Sequence, residues 1–271
     1  MYAIKNLFDF YIRASFHVSM AVLALVLMTN HMFAIPFDVH VASFAFCGTF
    51  LGYNFIKYEV YFRKKMPFRK KLLPIFILSF FALLACLYLF FQLKIKTQIV
   101  SVIFLGLTFL YAVPVFSSKT NMRNWSGIKI YIVAFCWAGV TVLLPIFNYA
   151  VLNSEDVLIK FFQRFILIVV LILIFEIIDL KNDEETLATV PQRLGVQKTK
   201  QLGTLLLVVF YFLEFLKSDF QSQQLLVNLF LISITFGFLF YAHQNRNKYY
   251  TSFWVESIPI LWLLLVYLTS V

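Results

Sequence analysis

DLKNDEETLATVPQRLG, residues 179–195, is the longest strongly polar stretch of the chain, and it follows directly on 157–178, a run that is almost wholly apolar. Asp179 and Asp183 continue that run in helical phase, so their four-residue spacing puts both carboxylates on one face of its end. Hard oxygen donors spaced in this way suit Mg²⁺, which binds through one or two carboxylates plus substrate phosphates. The same residues also read as a helix end followed by a solvated loop. The rest of the chain decides between the two.

Of 271 residues, 62% are hydrophobic and only 13% charged, against about 25% charged in a soluble domain. With 34 Phe and 14 Tyr, the composition is that of an all-α, polytopic membrane protein. No cleavable leader is expected, because Lys5, Asp9 and Arg13 interrupt the first residues and no small-residue cleavage site follows. Cys47, Cys86 and Cys136 each sit in an apolar run without C-x-x-C spacing, as buried thiols do. The formal charge of +10 fits loop orientation and contact with anionic membrane lipid, and nucleic acid is not an expected partner.

Nine runs approach the roughly 20 residues that a bilayer requires: 12–33, 39–62, 72–91, 98–116, 128–149, 157–178, 201–216, 224–241 and 253–269. The seventh is the shortest. With nine spans, 18 of the 23 Lys and Arg residues fall at the N-terminus and around the loops after spans two, four, six and eight. The positive-inside rule then predicts a cytoplasmic N-terminus and an outer C-terminus in a cytoplasmic (inner) membrane. Lys94, Lys96, Lys160, Arg164 and Lys217 are left for the other side. No loop is long enough for a separate domain, so residues 1–271 are expected to form one. No mid-span charge network and no Gly- or Pro-interrupted helix pair of the kind transporters use is visible, which leaves transport unsupported.

Nine helices with polar signatures after the second and sixth resemble the UbiA superfamily of intramembrane prenyltransferases. Asp179 and Asp183, followed by Thr189-Val-Pro191 and Arg193-Leu-Gly195, look like that family's second Asp-rich motif, a D-x-x-x-D pair leading to T-L-P-x-x-L-G. Leu110-Tyr-Ala-Val-Pro114 ahead of Lys119 is similar to its Tyr-Ser-x-Pro-Pro element and the basic residue behind it. Trp137-Ala-Gly139 and Pro145 continue in register. The resemblance implies a helical bundle around a central cavity, in which two Asp-rich motifs hold Mg²⁺ against the diphosphate of a polyprenyl donor. A lipophilic acceptor, aromatic or a quinone precursor, then takes the prenyl group. The site residues it implies are Asp179 and Asp183 for metal and catalysis, with Glu176 as a further candidate ligand one turn earlier. Asn54, Tyr111, Lys119, Arg123 and Arg193 would face the substrate, and Lys57, a departure from the family's pattern, is a further substrate-binding candidate by its charge.

The family's first motif, N-D-x-x-D-x-x-x-D, is degenerate here. Asn54 is kept, but the Asp positions fall on Phe55, Tyr58 and Phe62. Glu59 lies one residue out of register, a rotation of about 100° around a helix. Glu184 and Glu185 also replace a basic pair in the second motif. Two readings remain open. Lys57, with Arg63, Lys64 and Lys65, could neutralise the diphosphate directly and leave one metal on Asp179 and Asp183. Alternatively, the protein is catalytically silent and keeps the fold to bind an isoprenoid or a partner protein.

Other polar residues carry two readings each. Glu176 is a metal ligand or the partner of a lysine across the bundle. Arg13 and His17 line the cavity or, for Arg13, snorkel to the interface. His31, His40 and His243 sit at span ends. Tyr111, Tyr131 and Trp137 either face a cation in the cavity or simply pack. Trp254 and Tyr249-Tyr250 fit an interfacial belt.

Overall fold

The computed structural model describes residues 2–63, 70–112, 127–149, 154–183, 187–218 and 221–269. Among them there is no strand. The helices are α1 (Tyr2–Arg13), α2 (Phe16–Met32), α3 (Val39–Arg63), α4 (Leu73–Gln92), α5 (Ile95–Ala112), α6 (Lys129–Ala138), α7 (Leu144–Tyr149), α8 (Ser154–Asp179), α9 (Val190–Leu194), α10 (Val196–Phe212), α11 (Ser222–Phe240) and α12 (Ile258–Thr269). Eight stretches are long and apolar enough to cross a membrane, and the bent pair of α1 and α2 makes a ninth when counted as one span. The seventh expected span, short in the sequence, gains a turn at its start and runs over Val196–Leu216.

The bundle closes on itself: α2 packs against α3 and α12, α8 against α6 and α10, and α11 lies between α10 and α12. Of the eight stretches that qualify singly, the most buried are α8 and the α6–α7 segment, and most of α2 is buried as well. The core gathers Leu167, Leu173, Ile174 and Ile177 of α8 around Leu25, Phe210 and Trp262. Phe80, Phe81, Leu87 and Phe91 of α4 are exposed, as suits a face whose solvent is lipid.

Two breaks shape the bundle. Between α1 and α2 the chain turns by 60°, and Ser15 takes a left-handed conformation, φ 63°, which a non-glycine residue adopts only at a cost. Between α6 and α7, Gly139–Leu143 forms one π-helical turn. There a Cβ on Gly139 would lie 1.7 Å from the Phe104 ring of α5, so the close approach of α5 requires glycine. Pro145 cannot donate an amide to the preceding turn, and Thr29 Oγ1 of α2 donates to the Thr141 carbonyl at 2.7 Å. The first expected span, 12–33, thus covers α2 and the last residues of α1, which bends away from it at this corner.

Candidate functional site

Asp179 is the last residue of α8, and the Asn182 and Asp183 amides both donate to its carbonyl, at 2.7 and 3.0 Å. The chain therefore makes one further turn, and the two carboxylates project one turn apart, as the sequence spacing requires. Asp179 is exposed and Asp183 half-buried. Among the described residues neither carboxylate has a hydrogen bond or ion pair, and Lys129 acts on Asp179 only through space. The Thr189-Val-Pro191 signature starts α9, where Gln192 Oε1 accepts the Thr189 amide at 2.8 Å. Gly195, φ 79°, then separates α9 from α10. This local geometry brings the motif's downstream half back against α8.

Glu176 takes the lysine-pairing reading. It is buried, its Oε1 lies 3.1 Å from Lys129 Nζ, and its Oε2 accepts the Val190 amide at 3.1 Å. Both oxygens are engaged by the protein, tying the start of α6 and the start of α9 to the end of α8.

The degenerate first motif has a different use. Asn54, 3% exposed, accepts from Ser15 Oγ at 2.9 Å and donates to the Ala14 carbonyl at 3.1 Å. Lys57 Nζ and Tyr58 OH both donate to the Arg13 carbonyl, at 3.2 and 2.9 Å. Arg13 and Ala14 end α1, so these are carbonyls with no partner inside a helix. Three residues of α3 thus hold the 60° corner and offset the strain at Ser15. Phe55 is exposed; the Phe62 side chain lies outside what is described.

At the same end of the bundle, Tyr53 and Glu256 are largely enclosed by protein yet keep accessible surface, and Lys57 near them is exposed. They form one polar wall, with Glu256 within electrostatic range of the other two. Trp137 Nε1 donates to Tyr53 OH at 2.8 Å, and Tyr111 and Glu256 lie within electrostatic range of that phenol. Glu256 also acts on Lys57 and Tyr11. Tyr131 does not join this wall: it is half exposed and stacks on Phe165, centroids 6.4 Å apart. Arg13 is exposed with Nε donating to the Asp9 carbonyl, the snorkelling alternative. Buried His17 is fully used by Tyr11 OH, the Phe253 carbonyl and Ser257 Oγ. Lys119 and Arg123 lie outside the described residues.

Sequence reasoning missed two features. Glu256 stands as an acid early in the last apolar run, a position that by default marks function. Lys160 and Arg164, assigned above to the outer side, are instead fully buried in α8; their four-residue spacing on an apolar helix was the signal. With Glu214 they form a buried charge network near the start of α8.

No group of three or more His, Cys, Asp or Glu side chains able to hold a metal occurs among the described residues. Asp179 and Asp183 alone still fit a hard divalent cation, because their oxygens have no partner among the described residues and such an ion completes its shell with phosphate oxygens and water.

Across 98% of its length, the chain superimposes on 97% of a solved chain of digeranylgeranylglyceryl phosphate synthase, with a TM-score of 0.61 and 18% identity. No family sequence model and no curated protein matches it. At this identity the likeness establishes the fold, which is the UbiA-like membrane bundle expected from the sequence.

Proposed function

We propose that this protein is a UbiA-like prenyltransferase of a cytoplasmic membrane, moving a polyprenyl group from its diphosphate to a lipophilic acceptor. The observation that carries the reading is the pair of open carboxylates, Asp179 and Asp183. The two fully buried acids described, Glu176 and Glu214, are both paired within the protein, whereas these two are left facing outward from the end of a buried span. The basic-loop asymmetry supports a cytoplasmic position for this end and for the N-terminus.

Asp179 and Asp183 would hold Mg²⁺, whose chemistry is to neutralise the diphosphate as the allylic carbon–oxygen bond breaks and the electron pair departs with the leaving group. Arg193 on α9, with Lys119 and Arg123, supplies further positive charge to the diphosphate. The Tyr53–Trp137 wall and Tyr111 keep water from the allylic cation and offer it π-faces. Acceptor attack forms the new bond and releases a proton. Glu256, without a hydrogen bond to its carboxylate among the described residues, is the group near the Tyr53–Trp137 pair able to take it.

The corner held by Asn54, Lys57 and Tyr58 favours a second reading, in which the protein binds an isoprenoid or a partner protein without ionising a donor. Diphosphate release separates the two. Purified protein in nanodiscs is offered geranyl, farnesyl or geranylgeranyl diphosphate with Mg²⁺, with and without aromatic acceptors. Release above an Asp179→Ala/Asp183→Ala control supports transfer. Donor binding without release, in the presence of acceptors, supports the silent reading.

A further inference from the structure

At the end of the bundle opposite Asp179, some 19 residues back along α8 and so about 28 Å away, lies a second polar centre. Glu214, in the 3₁₀ turn that follows α10, accepts from Gln163 at 2.8 Å and Asn228 at 2.9 Å through Oε2, and pairs with Lys217 through Oε1. Lys160, 0% exposed, has its Nζ 3.8 Å from the same carboxylate and makes no hydrogen bond among the described residues. Arg164, also fully buried, donates to the Leu25 carbonyl at 2.9 Å, leaves its Nε without a partner, and lies 5.2 Å from the Trp262 ring centroid.

Among the described residues this centre carries more positive charge than its acids answer. Lys160, Arg164 and Lys217 stand against Glu214, whose oxygens are already occupied, and Asp156 at the rim, whose Oδ1 accepts the Ser218 amide. A buried ammonium without a hydrogen bond is a large desolvation cost. Lys160 and Lys217 both border a cavity of about 430 Å³ between the ends of α2 and α12 and the starts of α8 and α11. One wall is apolar, with Met32, Phe33 and Val266; the other adds the side-chain amides of Gln221 and Gln224. The volume far exceeds the roughly 30 Å³ share of a water molecule, so it takes a head group together with the start of an apolar chain.

We propose that this cavity is an anion site, binding a phosphate group between Lys160 and Lys217, with the attached apolar chain along Met32 and Val266. Phosphate oxygens supply the acceptors that Lys160 lacks, and the glutamine amides donate to the rest. The site is independent of donor chemistry at the other end.

The probes are inorganic phosphate and phosphatidic acid, added to full-length protein in phosphatidylcholine nanodiscs. Binding is read by native mass spectrometry and thermal shift. Saturable one-to-one binding is expected, weakened by about tenfold or more in Lys160→Met and in Lys217→Gln, and unchanged in Asp179→Ala/Asp183→Ala. Lys217→Gln alters a residue near the mouth and keeps the test open if Lys160→Met does not fold. Binding of phosphatidic acid alone identifies a lipid head group as the source; binding of inorganic phosphate alone identifies the free ion. Binding of neither, or binding undiminished in Lys217→Gln, overturns the proposal.

Discussion

At the end of α3, Asn54, Lys57 and Tyr58 all bond to the protein's own backbone around Ala14. At the end of α8, Asp179 and Asp183 bond to no described side chain, while Glu176 one turn earlier is fully engaged. Both segments follow an even-numbered span in loosely corresponding places. In one, polar side chains have become ties that hold a corner; in the other, the ties lie a turn deeper and leave two oxygen donors open. Side chains that satisfy the fold cannot also satisfy a ligand without breaking it, so the contrast separates stability from function residue by residue.

The comparison breaks first at the open pair. Asp179→Ala/Asp183→Ala is expected to lower any Mg²⁺-dependent turnover of prenyl diphosphate by about 10²–10³. Its unfolding free energy should stay within about 0.5 kcal/mol of the parent, as read by thermal or denaturant unfolding in detergent. Glu176→Ala should do the reverse. It leaves Lys129 without its partner and the Val190 amide without an acceptor, a loss of about 3 kcal/mol, measured in the same unfolding experiment.

Asn54→Ala removes both sides of the tie to Ser15 and Ala14 and is expected to destabilise by about 1–3 kcal/mol. Donor affinity per folded molecule should hardly change; a large drop in affinity at unchanged stability would return Asn54 to the substrate. Tyr58→Phe deletes one of two donors to the Arg13 carbonyl and should cost about 0.5–1.5 kcal/mol. Proteolysis between α1 and α2 would report the loosened corner independently.

The spans were legible because a bilayer forces long apolar runs whose ends carry the charge. The turn at Asp179 was legible because helical phase alone sets the spacing of residues 179 and 183. The corner at Ser15 was not: α1 is interrupted by Lys5, Asp9 and Arg13, and nothing local shows that α3 will bond its C-terminal carbonyls. Asn54 matched a motif letter, but its role follows from a contact with residues about 40 positions earlier. Lys160 and Arg164 were counted as loop charges because a charge count ignores burial. Only the facing Glu214 and Trp262, on distant spans, make their burial intelligible.

The account rests on one claim above the others: that Asp179 and Asp183 are the pole at which an anionic donor is held through a divalent cation. Equilibrium binding of farnesyl and geranylgeranyl diphosphate to the protein in nanodiscs, with Mg²⁺ and then with EDTA, tests it most directly. The expected result is saturable binding that needs Mg²⁺ and disappears in Asp179→Ala/Asp183→Ala. Binding that persists in EDTA, or that the double variant retains at parental affinity, would contradict the claim.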